Sequence, residues 1–237
     1  MPEAPPPALI EMGSAFPQLR VLESDGEEDA VAWLRASVTT FARSVASFLP
    51  GGFDAYARVY HPIGSAGGSG MSGPTLTWHE RATNLGVSLD DPWSLDMLQE
   101  SARTTTSVEV GSLPAALLVP LVEHLRGATT TPDRCFFAVW DGFGDSVFPR
   151  SRRPSLNLPH RRYHVFTGPV DGAMTSLSAI SFCHRSANLW WPSDHAWCVA
   201  TEVDLAWTYV GGAPRDIDLL LADPRLDTSP TTATALR

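Results

Sequence analysis

The segment from Ser146 to Val170 carries the side chains best suited to chemistry. It has no acidic residue, although the whole chain has 26 Asp and Glu against 17 cationic residues and a net charge of −9 at pH 7. The planar N–H fork of arginine suits carboxylate and phosphate recognition. The segment predicts either a site for an anionic ligand or an acidic partner surface, or a solvated loop whose arginines pair with the chain's own carboxylates. Its arginines are Arg150, Arg152, Arg153, Arg161 and Arg162.

Two histidines in this segment, His160 and His164, have the spacing of a metal-binding pair on a helix. Pro159 precedes them and Val165 and Phe166 follow them, which favours a strand instead. In a strand that rises ~3.3 Å per residue, the two rings would lie about 13 Å apart, too far to chelate one ion. We therefore predict no metal here, and no motif elsewhere in the chain predicts a cofactor.

Nucleophilic chemistry has one candidate pair, Cys198 with His184 or His195 as its base. A reactive cysteine needs an exposed, electropositive environment, whereas Cys198 lies within an apolar, strand-like run. The chain has no lysine, so Schiff-base chemistry on lysine is excluded. We expect Cys135, Cys183 and Cys198 to be unpaired thiols in apolar surroundings, and the sequence identifies no catalytic residue.

Two glycine-containing motifs are better explained as connections than as ligand sites. Gly68 to Gly73 fits G-x-G-x-x-G, but it lies in a Gly/Ser-rich loop at 62–74, and Pro74 follows where a dinucleotide-binding helix would continue. Asp141 to Asp145 offers two carboxylates, fewer oxygen ligands than calcium requires. We predict a flexible loop and a turn.

Tryptophan is concentrated between Ser186 and Gly212, which holds four of the eight tryptophans and the clearest strand pattern. Trp190 and Trp191 precede Pro192, and the residue before a proline favours an extended conformation. Two interpretations of this pair stay open. The rings are either part of the core, or a surface platform that binds a partner or stacks on a ligand ring.

The same stretch resembles a known family. The run NLWWPSDHAWCVATEVDLAWTYVGG from Asn188, with CFFAVWDGFG from Cys135 and LLADPRLD from Leu220, resembles a family of uncharacterised proteins encoded in GC-rich actinobacterial genomes. The resemblance covers the second half of the chain, and its motifs are aromatic and structural. It implies a cytoplasmic bacterial protein and no particular chemistry.

The elements that position these residues predict an α+β fold, with one domain over 23–227 between an irregular segment at 1–22 and a disordered tail at 228–237. Apolar residues at alternating steps of three and four predict the longest helix, from Glu27 to Phe48. Other helices are predicted from Trp78 to Leu85, Pro92 to Ser101, Ser112 to Arg126, and from Pro214. Five or six strands beginning near Asp54, Ser107, Cys135, Arg162, Ala196 and Ala206 should form an antiparallel or mixed sheet, the last two as a hairpin.

Composition limits the classes of function. The acidic charge disfavours nucleic acid, no apolar run is long enough for a membrane span, and the sequence from Met1 shows no secretory leader. The leading hypothesis is a cytoplasmic, non-enzymatic protein-binding domain, for instance an immunity-like domain that neutralises a basic toxin or effector. The alternative is an enzyme or small-molecule binder whose pocket lies between the arginine segment and Trp190–Trp191 and takes an anionic or aromatic ligand. The oligomeric state is not predicted.

Overall fold

The computed structural model describes residues 19–22, 28–40, 42, 44–64, 76–145, 155–180 and 183–236. These residues form an α+β fold around an antiparallel sheet of nine strands. The strands are β1 (Arg20–Val21), β2 (Ala55–Tyr60), β3 (Ile63–Gly64), β4 (Ser107–Val108), β5 (Cys135–Trp140), β6 (Leu156–Leu158), β7 (Arg161–Gly168), β8 (Leu189–Pro192), β9 (Cys198–Ala200), β10 (Trp207–Gly212) and β11 (Thr228–Thr231). The sheet order is β1-β7-β5-β8-β9-β10-β2-β11, with β6 also paired to β7, while β3 and β4 form a separate ribbon.

Helices cover both faces of the sheet. Side chains alternate across a strand, so Tyr56 and Tyr60 of β2 belong to one core while Ala57 and Val59 belong to the other. The first three helices pack on the first of these cores, and the last two pack on the second. The helices are α1 (Glu28–Ser37), α2 (Trp78–Leu85), α3 (Pro92–Thr105), α4 (Ala115–Gly127) and α5 (Pro214–Leu221). With both faces buried, a strand such as β5 is apolar along its whole length.

The sheet has nine strands rather than the five or six that the sequence predicts. Within this sheet, the strands that the pattern does not predict are β1, β6, β8 and β11, each two to four residues long. Segments of that length are too short to show a periodicity of their own. The strand predicted near Ser107 does form, but it pairs with β3 outside the main sheet.

The disordered tail predicted at 228–237 is wrong, because its first residues form β11 along β2 and a bridge joins Leu236 to Ser44. Similarly, Arg20 and Val21 lie in the segment predicted to be irregular, yet they pair with β7. Both corrections have the same cause. The edge of a sheet presents unpaired N–H and C=O groups, and these can recruit residues that have little preference of their own for a strand.

The helix predicted from Glu27 to Phe48 is too long, because α1 ends at Ser37 and residues 45–47 form a short 3-10 helix. Residues 38–40 are Val-Thr-Thr, and β-branched side chains lower helix propensity. In addition, the N–H groups of Val45 and Ala46 bind the carbonyls of two alanines near the C-terminus, at 3.1 and 2.9 Å. These tertiary hydrogen bonds replace those of a continued helix.

The hairpin predicted near the carboxyl end is confirmed, since β9 and β10 pair in antiparallel register and α5 follows from Pro214. The buried side-chain amide of Asn188 stabilises this region. The Nδ2 of Asn188 donates to the carbonyls of Gly111 and Thr201 at 3.1 and 3.0 Å, and its Oδ1 accepts from the N–H of Trp140 at 2.9 Å. One side chain therefore joins three segments of backbone.

Candidate functional site

The two described arginines of the cationic segment are paired with the protein's own carboxylates. Arg161 Nη2 lies 2.6 Å from Glu202 Oε1, and Arg162 Nη2 lies 2.8 Å from Asp141 Oδ2. Glu202 is only 5% exposed, so its pair with Arg161 is an interior one. For these two residues the structure supports internal pairing rather than a ligand site. The other predicted site residues of this segment, Arg150, Arg152 and Arg153, lie outside the described residues.

Trp190 and Trp191 are core residues, with 1% and 0% exposed. As neighbours on β8 they point to opposite faces of the sheet, where Trp190 stacks on Phe137 and Trp191 stacks on Phe136 of the adjacent strand. Neither indole presents a surface to a ligand or partner. The predicted surface platform is therefore wrong, and so is the predicted pocket between this pair and the arginine segment. Both aromatic rings pack in the core.

The candidate nucleophile Cys198 is fully buried, and this burial raises the pKa of its thiol far above the ordinary value. His195, one of the two candidate bases named with His184, stacks on Trp33 with ring centroids 4.3 Å apart. His164 lies 2.9 Å from Asp141 through Nε2. Throughout the described ranges, no group of three His, Cys, Asp or Glu residues has the geometry to hold a metal ion.

His61 is a buried histidine with a defined proton position. Its Nδ1 lies 2.7 Å from the carbonyl oxygen of Glu109, which can only accept, so Nδ1 carries the hydrogen. Its Nε2, 2.9 Å from Thr208 Oγ1, then accepts from that hydroxyl, and Thr208 Oγ1 lies 2.7 Å from Thr201 Oγ1. The neutral ring is thus fully satisfied. Burial lowers the pKa of His61 to about 4.

Acid should destabilise the protein partly through His61. The pKa of His61 is 6.5 in the unfolded chain and about 4 in the folded protein. The contribution of the neutral ring to the free energy of unfolding is therefore complete above pH 6.5 and is lost as the pH drops toward 4. At about 1.4 kcal/mol per pH unit, that loss is about 3 kcal/mol. In urea denaturation at pH 7 and pH 4, a His61→Gln variant should lose correspondingly less stability than the wild type. Equal losses in the two proteins would contradict this assignment.

A carboxylate, an imidazole and a hydroxyl meet where α2 contacts β11. His79 Nδ1 lies 2.5 Å from Asp227 Oδ1, and His79 Nε2 lies 3.3 Å from Ser229 Oγ. This is the order of groups used in nucleophilic catalysis. Ser229 is only 6% exposed, however, and Asp227 also accepts a hydrogen bond from the N–H of Trp78 at the start of α2. These three side chains connect β11 to α2, and the hydroxyl of Ser229 is not accessible to a substrate.

Trp93 on α3 is the most exposed large apolar side chain of the described residues, at 73%. Met97 follows one helical turn later and is 50% exposed. The opposite side of the helix is buried through Leu95, Leu98 and Ala102. Trp93 and Met97 therefore project from the exposed side of a helix whose opposite side packs in the core.

Acidic residues flank these two apolar side chains in the sequence. Residues 90–102 contain four acidic residues and no cationic one. Hydrogen bonds from Ser94 lower the pKa of Asp91, the N-cap of α3, which keeps it ionised. Trp93 and Met97, with Asp90, Asp91, Asp96 and Glu100, form the α3 surface.

The sequence contained a signal for the α3 surface. Once Leu95 and Leu98 are assigned to the core, helical spacing places residues 93 and 97 on the opposite side. By contrast, the contacts between His79, Asp227 and Ser229 join residues about 150 positions apart, and no local pattern indicates them.

These features define the class of protein. It is an antiparallel α+β protein whose sheet is covered by helices on both faces, and the most exposed aromatic side chain among its described residues lies in an acidic helical surface. No protein-family model, curated protein or solved structure matches the chain. None of the described helices combines the length and the apolarity needed to cross a lipid bilayer.

Proposed function

We propose that this protein binds a basic protein partner through the α3 surface and acts by binding rather than by catalysis. The observation that carries the proposal is Trp93, whose side chain is 73% exposed. Tryptophan is among the residue types most enriched at the energetic centres of protein interfaces. Neutralisation of a basic toxin or effector, as by an immunity protein, is the form of this function that suits an acidic cytoplasmic domain.

Charge defines the partner's chemistry. The four carboxylates of the α3 surface are part of a chain whose net charge is −9, so a cationic partner is attracted over a distance and oriented as it docks. Trp93 and Met97 would then enter an apolar pocket of the partner, with the carboxylates at the rim. The unbranched side chain of Met97 can adjust to the shape of that pocket.

Replacing Trp93 with alanine should weaken binding about 30-fold or more, because truncation of a central interface tryptophan costs about 2 kcal/mol or more. Leu219→Ala is the matched control, since Leu219 is 52% exposed but lies on α5, against the other core. Wild-type and variant proteins would be used as baits in a lysate of the producing cells. Mass spectrometry would identify the retained proteins, and calorimetry would measure their affinities.

The expected result is one or more basic proteins that the wild-type and Leu219→Ala baits retain and the Trp93→Ala bait loses. Higher salt, or Asp90→Asn combined with Glu100→Gln, should slow association more than it speeds dissociation, because rim charges act mainly on the encounter. Retention of the same proteins by the Trp93→Ala bait, or of no basic protein by the wild-type bait, would contradict the proposal.

A further inference from the structure

Arg58 on β2 is a buried cation. It is 6% exposed, and strand pairing places it between Tyr209 of β10 and Ser229 of β11. The carbon at the centre of its guanidinium lies 5.9, 5.6 and 5.4 Å from the ring centroids of Tyr60, Trp207 and Tyr209. Aromatic faces attract a cation, but they do not use all the N–H donors of a guanidinium.

The polar contacts of Arg58 are incomplete. Its Nη1 donates to Tyr60 Oη and to the carbonyl of Leu89, both at 3.3 Å, while its buried Nε has no partner. Burial acts to lower the pKa of Arg58, but Tyr209 and Tyr60 raise it, and the net pKa lies above its ordinary value, so the cation persists. Between described residues, the arginines that pair with carboxylates are Arg126, Arg161, Arg162, Arg185 and Arg225, and Arg58 is not among them.

A buried guanidinium that has no carboxylate partner and an unpaired Nε is costly, because an N–H group buried without a partner loses the hydrogen bond that water would supply. A bound anion would supply the missing charge. The structure has room for one, since a cavity of about 220 Å³ lies against Arg58. For comparison, an apolar protein cavity of about 150 Å³ holds a benzene molecule. Apart from Arg58, the lining of this protein's cavity includes Asp90, Thr232 and the aliphatic side chains of Leu89, Leu95 and Leu236.

We propose that this cavity binds a small monocarboxylate with an apolar body, such as a short fatty acid. The carboxylate would lie against the guanidinium fork of Arg58, whose shape it matches, and the hydrocarbon would lie among the aliphatic side chains. A phosphate ester fits less well. The lining has one cation and one carboxylate, so one charge of a doubly charged phosphate would have no cation to pair with, and Asp90 would repel a phosphate more strongly than a monocarboxylate.

Hexanoate is the probe, and hexanamide, which has the same chain without the charge, is its control. Added to the full-length protein, hexanoate should shift the Arg58 Nε–H signal in NMR spectra and raise the unfolding temperature. Hexanamide should bind at least about tenfold more weakly, because hydrogen bonds to charged groups are the stronger ones. Equal binding of the two compounds, or no response to hexanoate, would overturn the proposal.

Two variants test separately the charge of the site and the space in it. Arg58→Met removes the charge and keeps an extended apolar side chain, whereas Thr232→Trp fills the cavity at an exposed lining residue without altering Arg58. Both should lose hexanoate binding, and ligand-free Arg58→Met should unfold at no lower temperature than the wild type. Unchanged hexanoate binding in both variants would overturn the proposal.

Two further results complete the test. A large drop in the unfolding temperature of ligand-free Arg58→Met would show that the three aromatic rings already satisfy the cation, and would count against the proposal. Trp93→Ala should keep hexanoate binding, because Trp93 does not line the cavity. Loss of the basic partner in that variant with hexanoate binding retained separates this proposal from the proposed function.

Discussion

Replacing Asn188 with alanine should lower the free energy of unfolding by about 4 kcal/mol. Asn188 is 2% exposed, and its amide satisfies backbone groups of Trp140, Gly111 and Thr201. Alanine leaves these groups unpaired in the interior, at about 1–3 kcal/mol for each buried unsatisfied group, less what relaxation recovers. Urea denaturation followed by circular dichroism measures the change.

Asn84→Ala is the matched control for this variant. Asn84 is exposed on α2, and its truncation should change the free energy of unfolding by less than about 0.5 kcal/mol. Similar losses in Asn84→Ala and Asn188→Ala would show that the three hydrogen bonds of Asn188 do not hold these segments together.

Replacing Trp207 with alanine should also cost about 4 kcal/mol, within the range of about 3–5 kcal/mol for truncating a large buried aromatic side chain. Trp207 is 0% exposed and contacts the ring of Trp78 edge-on, with centroids 5.7 Å apart. Its Nε1 donates to Tyr209 Oη at 2.9 Å. Truncation would leave a cavity and remove one of the three rings around Arg58. Urea denaturation again measures the loss.

Trp93→Ala serves as the control for Trp207→Ala, because the same side chain is removed from the surface instead of the core. It should change stability by less than about 0.5 kcal/mol. The two variants should thus separate the two uses of tryptophan in this protein. A large loss of stability in Trp93→Ala, or a small one in Trp207→Ala, would contradict the burial on which both expectations depend.

The elements that could be predicted are those whose signals are local. Helix α2 begins and ends where expected because Thr77 and Glu80 form a capping box at its start and Gly86 takes a left-handed conformation at its end. β5 was recognisable as an apolar run, and the hairpin of β9 and β10 as two aromatic runs close in sequence. In each case, the residues that determine the element lie within it or beside it.

The rest depends on distant contacts. Ser229 lies opposite Arg58, and Glu202 pairs with Arg161 from 41 positions away. Arginine-rich composition therefore could not distinguish a ligand site from internal pairing. The sequence does not identify Arg58 as a site either. The surroundings of this arginine come from β10 and β11, which are distant from it in the sequence.

The edge strands of the sheet affect how readily the protein can associate with copies of itself. Among the described residues, the sheet ends on one side at β11, which contains Pro230, and proline has no N–H with which to extend a ladder. On the other side β1 and β6 are two and three residues long. Edges that are this short, or interrupted by proline, are poor templates for chain-to-chain polymerisation. The protein should therefore resist fibril growth at high concentration, despite its nine-stranded sheet.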